Sequence, residues 1–191
     1  MHDMKSQFDV LHSELIYAGR VFTIKRDEVR HGSGYLSVRE VVEHDGGAVV
    51  VPLFPDDDVL LISQFRYPIG MEIIELPAGK LNKGEDPRDC AARELEEETG
   101  WRADRLDPLT SMMTTPGFCS EVLHIFLATG LRPGEQHLEQ GEESIRMLRV
   151  PLKTALRMCA DGEIRDGKTV TGLFLAAVKS GLIGCRDDVR T

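Results

Sequence analysis

The chain has 191 residues, 41% of them hydrophobic and 29% charged, and carries a formal net charge of −9. These values exclude an intrinsically disordered class and fit one globular domain, or one domain with an appendage. The acidic balance argues against nucleic acid or an anionic membrane as a general partner, but not against an anionic small molecule held through metal ions and a few local arginines.

The opening stretch MHDMKSQFDV has no apolar signal core, and the longest apolar run, Ala48 to Phe54, is far too short to span a bilayer. A cytoplasmic protein without membrane partners is therefore the expectation. The four cysteines, Cys90, Cys119, Cys159 and Cys185, form no CxxC pair and have no histidine cluster beside them. They are expected as reduced thiols.

From about Leu15 to Glu43 the pattern is β-rich. "LIYAGRVFTIKRDEV" and "YLSVREVVEH" flank the turn "RHGSGY", which predicts a hairpin or meander. The Gly-rich turn is not a phosphate loop, because no helix follows it. After the turn "HDGGAV" comes the apolar strand "AVVVPLF". "PDDD" turns the chain into "VLLISQFRY", and "IIELPAG" reads as a third strand ending at Pro77 and Gly79.

A helix follows the polar loop "KLNKGED", with Asp86 as N-cap, Pro87 at its first position and Gly100 just past its end. Strand material surrounds a Thr-Pro-Gly turn in "PLTSMMTTPGFCSEVLHIFLATGL". An acidic loop, "HLEQGEES", leads to the strand "IRMLRVPL", and two helices, "LKTALRMCADG" and "TVTGLFLAAVKSG", close the chain. The expected class is α/β (α+β), with helices covering a mixed sheet.

The segment Arg93-Glu94-Leu95-Glu96-Glu97-Glu98-Thr99-Gly100 raises a physical problem. Glutamates three and four apart repel on a helix, by roughly 0.2–0.5 kcal/mol per pair, and they lie near the C-terminal end, where the helix dipole disfavours anions. On a helical wheel Ala91, Ala92, Leu95 and Thr99 form the core face. Glu94, Glu97 and Glu98 share a sector on the far side with Arg93 beside it, and Glu96 points elsewhere as a surface residue. Three convergent carboxylates suit a hard divalent cation such as Mg2+. A solvated acidic face is the alternative that the helix alone leaves open.

The flanking residues extend the pattern. Gly79, Glu85, Arg93, Glu94, Leu95, Glu97, Glu98, Gly100 and Trp101 resemble the Nudix box, Gly-x5-Glu-x7-Arg-Glu-U-x-Glu-Glu-x-Gly-U with U bulky and apolar; only Trp101 departs, where an aliphatic residue is commoner. The approach "SQFRYPIGMEIIELPAGKL" and the later "TTPGFCSE" resemble the ADP-ribose pyrophosphatases and their nucleotide-sugar relatives. The resemblance implies a Nudix-type α/β/α sandwich with a mixed sheet over residues 46–191. It also implies a small N-terminal β subdomain over residues 1–45, exchanged between the chains of a homodimer.

The same resemblance implies residue roles. The Ala78 carbonyl, Glu94, Glu97, Glu98 and Glu143 would bind Mg2+, or Mn2+ in its place. Arg93 and Glu85 would orient the carboxylates. Arg39, Glu40, Arg66, Phe22, Thr115, Pro116, Gly117 and Glu121 would form the nucleotide-binding set. Glu139, Glu142 and Glu143 are the candidates for the general base; Gly141 falls near the usual base position, and the adjacent Glu142 is preferred. His2, His12, His31, His44, His124 and His137 show no ligand spacing, and Met112 and Met113 read as packing or rim residues.

The implied activity is Mg2+-dependent hydrolysis of ADP-ribose to AMP and ribose 5-phosphate, with a small-molecule nucleotide as the partner. Two alternatives stand beside it. One is hydrolysis of another nucleotide sugar such as GDP-mannose; the other is a Nudix-fold regulator that binds a nucleotide without cleaving it.

Overall fold

The computed structural model describes residues 7–138 and 144–184. By Cα proximity the chain divides into two compact units, Met1–Gly46 with Met113–Val122, and Gly47–Met112 with Leu123–Thr191. The sequence-based boundary between residues 45 and 46 groups 113–122 with the larger part, whereas spatially this segment goes with the smaller one.

The first unit is an antiparallel meander of β1 (Phe8–Ala18), β2 (Phe22–His31) and β3 (Leu36–His44). Strand β1 begins at Phe8, before the β-rich stretch read from the sequence. It is exposed along its whole length, so its side chains show no buried and solvent-facing alternation. Three strands bury little by themselves, and Val29 is the one core residue among them. The segment 113–122 docks on β3: the Val42 N–H donates to the Phe118 carbonyl at 2.8 Å, and the Ser120 N–H to the Val42 carbonyl at 2.9 Å.

In the second unit β4 (Gly47–Pro52) is buried at every position. That explains its unbroken apolar run, because a strand covered on both faces has no polar side to alternate with. It pairs in parallel with β9 (Val122–Pro133) and antiparallel with the short β7 (Ala78–Lys80), giving the mixed sheet β7-β4-β9-β8, with β8 (Trp101–Met113) at its edge. Pro108 within β8 suits an edge strand, where a missing N–H costs little. A second sheet, β10-β5-β6, consists of β5 (Asp58–Arg66), β6 (Met71–Glu75) and β10 (Arg146–Pro151). Between β5 and β6 lies a short 3-10 turn, Tyr67–Ile69.

The expected single strand "IIELPAG" is in fact two. It breaks at Leu76 and Pro77, and its halves join different sheets as β6 and β7. Proline has no N–H to continue a ladder.

The helices take opposite faces of β4. Ala48 and Val50 pack with Cys90, Ala91 and Leu95 of α1 (Pro87–Thr99). Val49 and Val51 pack with Leu152 and Ala155 of α2 (Leu152–Ala160) and Leu173 and Ala176 of α3 (Gly167–Lys179). This is the helix–sheet–helix sandwich. Among the described residues no helix is long and apolar enough to cross a membrane.

Candidate active site

Helix α1 starts and stops where its local chemistry dictates. The Asp86 carboxylate accepts the Arg88 N–H at 2.8 Å, and Pro87 needs no partner at the first position. Gly100 closes the helix at φ 69°, and its N–H donates to the Glu96 carbonyl. The last-turn carbonyls of Glu97 and Glu98 accept the His137 N–H and the Gln136 side-chain amide.

The acidic sector differs from the wheel reading. Ala92 is exposed, whereas Glu94 and Glu98 are 8% and 2% exposed and belong to the buried face together with Cys90, Ala91, Leu95 and Thr99. The acidic sector adjoins the core face instead of opposing it, and β7 packs against α1 at that border. The Ala78 N–H donates to Glu98 Oε2 at 2.9 Å. A Cβ on Gly79 would fall 1.8 Å from Glu94 Oε1, so the box glycine is the space into which that carboxylate fits.

Arg93 is the hub of this face. Its Nε and Nη2 donate to Glu85 at 3.0 and 3.2 Å, and its Nη1 donates to Glu94 at 2.6 Å and Glu97 at 2.9 Å. Nη2 also reaches the Lys80 carbonyl at 3.3 Å. The guanidinium pKa is raised, first by the Glu85 hydrogen bond and then by the Glu94 charge and the hydrogen bonds to Glu97 and Glu94, with burial opposing. The Glu85 carboxyl is lowered, first by Arg93, with the Asn82 N–H adding to it against burial. Burial first, and then the Glu94 charge, pushes the Cys90 thiol up to about 12, so it is an inert core thiol. Glu96 pairs with Arg102 at the surface, as expected of a residue outside the cluster.

Among the described residues no group of three or more His, Cys, Asp or Glu side chains has the arrangement of a metal site. Glu85, Glu94 and Glu97 converge on Arg93 instead. The donor chemistry nevertheless fits a hard cation: the ligands are all oxygen, the Arg93 guanidinium is shared by the three carboxylates Glu85, Glu94 and Glu97, and Gly79 leaves a cradle for Glu94.

Arg66, at the end of β5, binds Glu75 side-on, Nε to Oε1 at 2.6 Å and Nη2 to Oε2 at 2.9 Å. Sequence reasoning missed Glu75 and its second cation, Lys168. The available signal was a lone carboxylate in the apolar run "IIEL".

In the first unit Arg39 and Glu40 are adjacent in β3 and so project to opposite faces. Arg39 lies over the Phe8 ring at 5.8 Å, with Nη2 3.5 Å from His31 Nε2. Glu40 lines a cavity of about 640 Å³ with Ile16, Ile24, Lys25 and Phe118. Phe22 lines a separate hollow of about 470 Å³. Thr115 to Phe118 form a turn closed by N–H donation from Phe118 and Cys119 to the Thr115 carbonyl, which leaves Pro116 and Gly117 exposed. Glu121 Oε1 lies 3.4 Å from His44 Nδ1. Glu139, Glu142 and Glu143 lie outside the described residues.

The sequence profile of the family described as "NUDIX domain" matches residues 44–171. The chain is 38% identical over 170 residues to an ADP-ribose pyrophosphatase of Bacillus subtilis (strain 168), covering 88% of this chain and 92% of that one. It is also 38% identical over 173 residues to a methanol dehydrogenase activator of Bacillus methanolicus, covering 90% and 94%. A crystal structure of an ADP compounds hydrolase superposes with a TM-score of 0.80 at 25% identity, covering 92% of this chain and 96% of the other.

Proposed function

This chain belongs to the Nudix family, and from that premise we propose that it is a pyrophosphatase that hydrolyses ADP-ribose to AMP and ribose 5-phosphate. The observation that carries the reading is the fit of the Glu94 carboxylate into the space left by Gly79, with Arg93 gathering Glu85, Glu94 and Glu97 beside it. A helix face built in this way collects negative charge at one border of the core, and a divalent cation gives that charge a use.

Mg2+, or Mn2+ in its place, would be held by Glu94, Glu97, Glu98, the Ala78 carbonyl and Glu143, and would supply polarisation of the phosphate oxygens and a lowered pKa for a bound water. Arg93 and Glu85 orient the carboxylates, Glu142 accepts the proton of the attacking water, and Arg66 holds the diphosphate. Arg39, Glu40, Phe22, Thr115, Pro116, Gly117 and Glu121 bind the nucleotide.

The working form in this reading is a cytoplasmic homodimer joined through residues 1–45. Val10, Leu15, Ile16 and Val21, which are 53–60% exposed, support the reading as uncovered apolar surface that a second copy would bury. Light scattering is expected to give about twice the 21.3 kDa chain mass.

The test is a panel of nucleotide sugars assayed for nucleoside monophosphate release with Mg2+. ADP-ribose is expected to lead. GDP-mannose in first place would keep the chemistry and change the substrate. No turnover on any member would favour a nucleotide-binding regulator.

A further inference from the structure

A second polar cluster lies where the end of β6 meets the start of α3. Glu75 is fully buried, yet it faces two cations: Arg66 holds it side-on, and Lys168 Nζ donates to its Oε2. Lys168, itself largely buried, also pairs with Asp166 at 2.9 Å. Asp166 caps α3 by accepting the Thr169 N–H at 3.0 Å and the Thr169 hydroxyl at 2.6 Å. The Thr169 hydroxyl in turn accepts the Leu76 N–H at 2.9 Å. Helix α3 sits tightly here: a Cβ on Gly172 would lie 2.6 Å from Leu76 Cδ1.

Stability alone is a weak reason for this arrangement. Buried ion pairs often contribute no more than apolar residues of the same volume, because desolvation offsets their attraction. Orientation is a better reason. The side-on pair uses the Nε hydrogen and one Nη2 hydrogen of Arg66. One Nη1 hydrogen and the second Nη2 hydrogen remain side by side at the end of the guanidinium, a fork suited to a phosphate. The Arg66 side chain is 40% exposed, so the cluster has one wet end.

Lys168 shapes that end in two ways. It donates to Glu75 Oε2, the oxygen that also accepts from Arg66 Nη2, and this second anchor restrains the carboxylate against rotating off the guanidinium. It also shares the carboxylate charge, so Glu75 does not cancel Arg66 alone. The Arg66 pKa is raised, first by the Glu75 hydrogen bond and, against burial, also by the charges of Glu75, Glu98 and Asp166. Arg66 is thus firmly cationic and within electrostatic reach of the carboxylate helix.

We propose that Glu75 and Lys168 are positioning residues that hold the Arg66 guanidinium so that the fork at its end receives a phosphate of the substrate. The inference rests on the reading of Arg66 as the diphosphate contact. It adds that a lysine 93 residues away from Glu75 in sequence sets the quality of that contact.

The test compares Lys168→Met, Lys168→Arg, Arg66→Ala and the double variant Arg66→Ala/Lys168→Met in the full-length protein. KM and kcat for ADP-ribose are measured beside the Kd for ADP, which reads Arg66 presentation without turnover. A contact to a phosphate already charged in the ground state acts mainly on binding, so Lys168→Met is expected to raise KM and the ADP Kd by about tenfold with kcat within about threefold. Lys168→Arg should restore most of the loss. In the Arg66→Ala background Lys168→Met should add less than about twofold, because residues acting through one group are not additive.

A lower Tm with unchanged KM and unchanged ADP Kd would overturn the proposal and leave the cluster purely structural. So would a full independent effect of Lys168→Met in the Arg66→Ala background. A wild type that hydrolyses no nucleotide sugar would defeat the function reading, while the ADP measurement still decides the role of Lys168. A wild type that neither hydrolyses a nucleotide sugar nor binds ADP defeats both.

Discussion

Gly79 and Glu94 occupy one space: a Cβ added at Gly79 would lie 1.8 Å from Glu94 Oε1 and 1.9 Å from Cδ. The atoms it would strike are the tip of a flexible side chain, not backbone. Gly79→Ala is therefore expected to fold, with the Glu94 carboxylate displaced. Activity should fall by about 10²-fold, the scale of losing an electrostatic contact or misplacing it by about 1 Å. Tm and turnover measured on the same preparation separate the two effects. A folded Gly79→Ala with wild-type turnover would show that Glu94 can serve from elsewhere.

Glu97 joins Arg93 to the acidic face but is partly exposed, so its ion pair is worth under about 1 kcal/mol to the fold. Glu97→Gln should leave Tm nearly unchanged and lower kcat by at least ~10²-fold. Near-normal turnover in a folded variant would remove Glu97 from the cation site.

Glu85 makes the fold sensitive to acid. Its carboxyl titrates below the usual value of 4.5, held down first by Arg93. A depressed folded value means that the charged form contributes stability above the unfolded pKa, and that this contribution is lost as pH falls through the folded pKa. The Tm advantage of wild type over Glu85→Gln should be constant near neutrality and close in acid, at and below pH 4.5. An advantage that persists unchanged into acid would mean that the Arg93 contact does not set it.

The general base is addressed through the acidic loop. Glu142→Gln should lower kcat with little change in KM, and Glu139→Gln should be nearly silent. Glu143→Gln should raise the Mg2+ requirement. A collapse in Glu139→Gln would move the base earlier in the loop. If none of the three falls by more than ~10-fold, below the usual contribution of a general base, the base lies elsewhere.

The start, end and chemical content of α1 were legible in the chain because they are local. Asp86, Pro87 and Gly100 act within one turn of the residues they cap, and the spacing from Gly79 to Trp101 is a property of the sequence itself. The strand nature and burial of β4 were legible too from its unbroken apolar run, but not what covers it, which is α1 on one face and α2 and α3 on the other.

What only the tertiary structure decided depends on contacts between distant segments. The break of "IIELPAG" into strands of two sheets follows from where β5 and β4 lie. The burial of Glu94 and Glu98 follows from β7 passing over one edge of α1. Helical spacing places a carboxylate around the axis but does not say which neighbour covers it. The pairing of Arg66 with Glu75 and Lys168 is the extreme case. No local pattern links β5 and β6 to the first turn of α3, and the partners meet because both elements pack on the same core, where a buried charge must find its counter-ion.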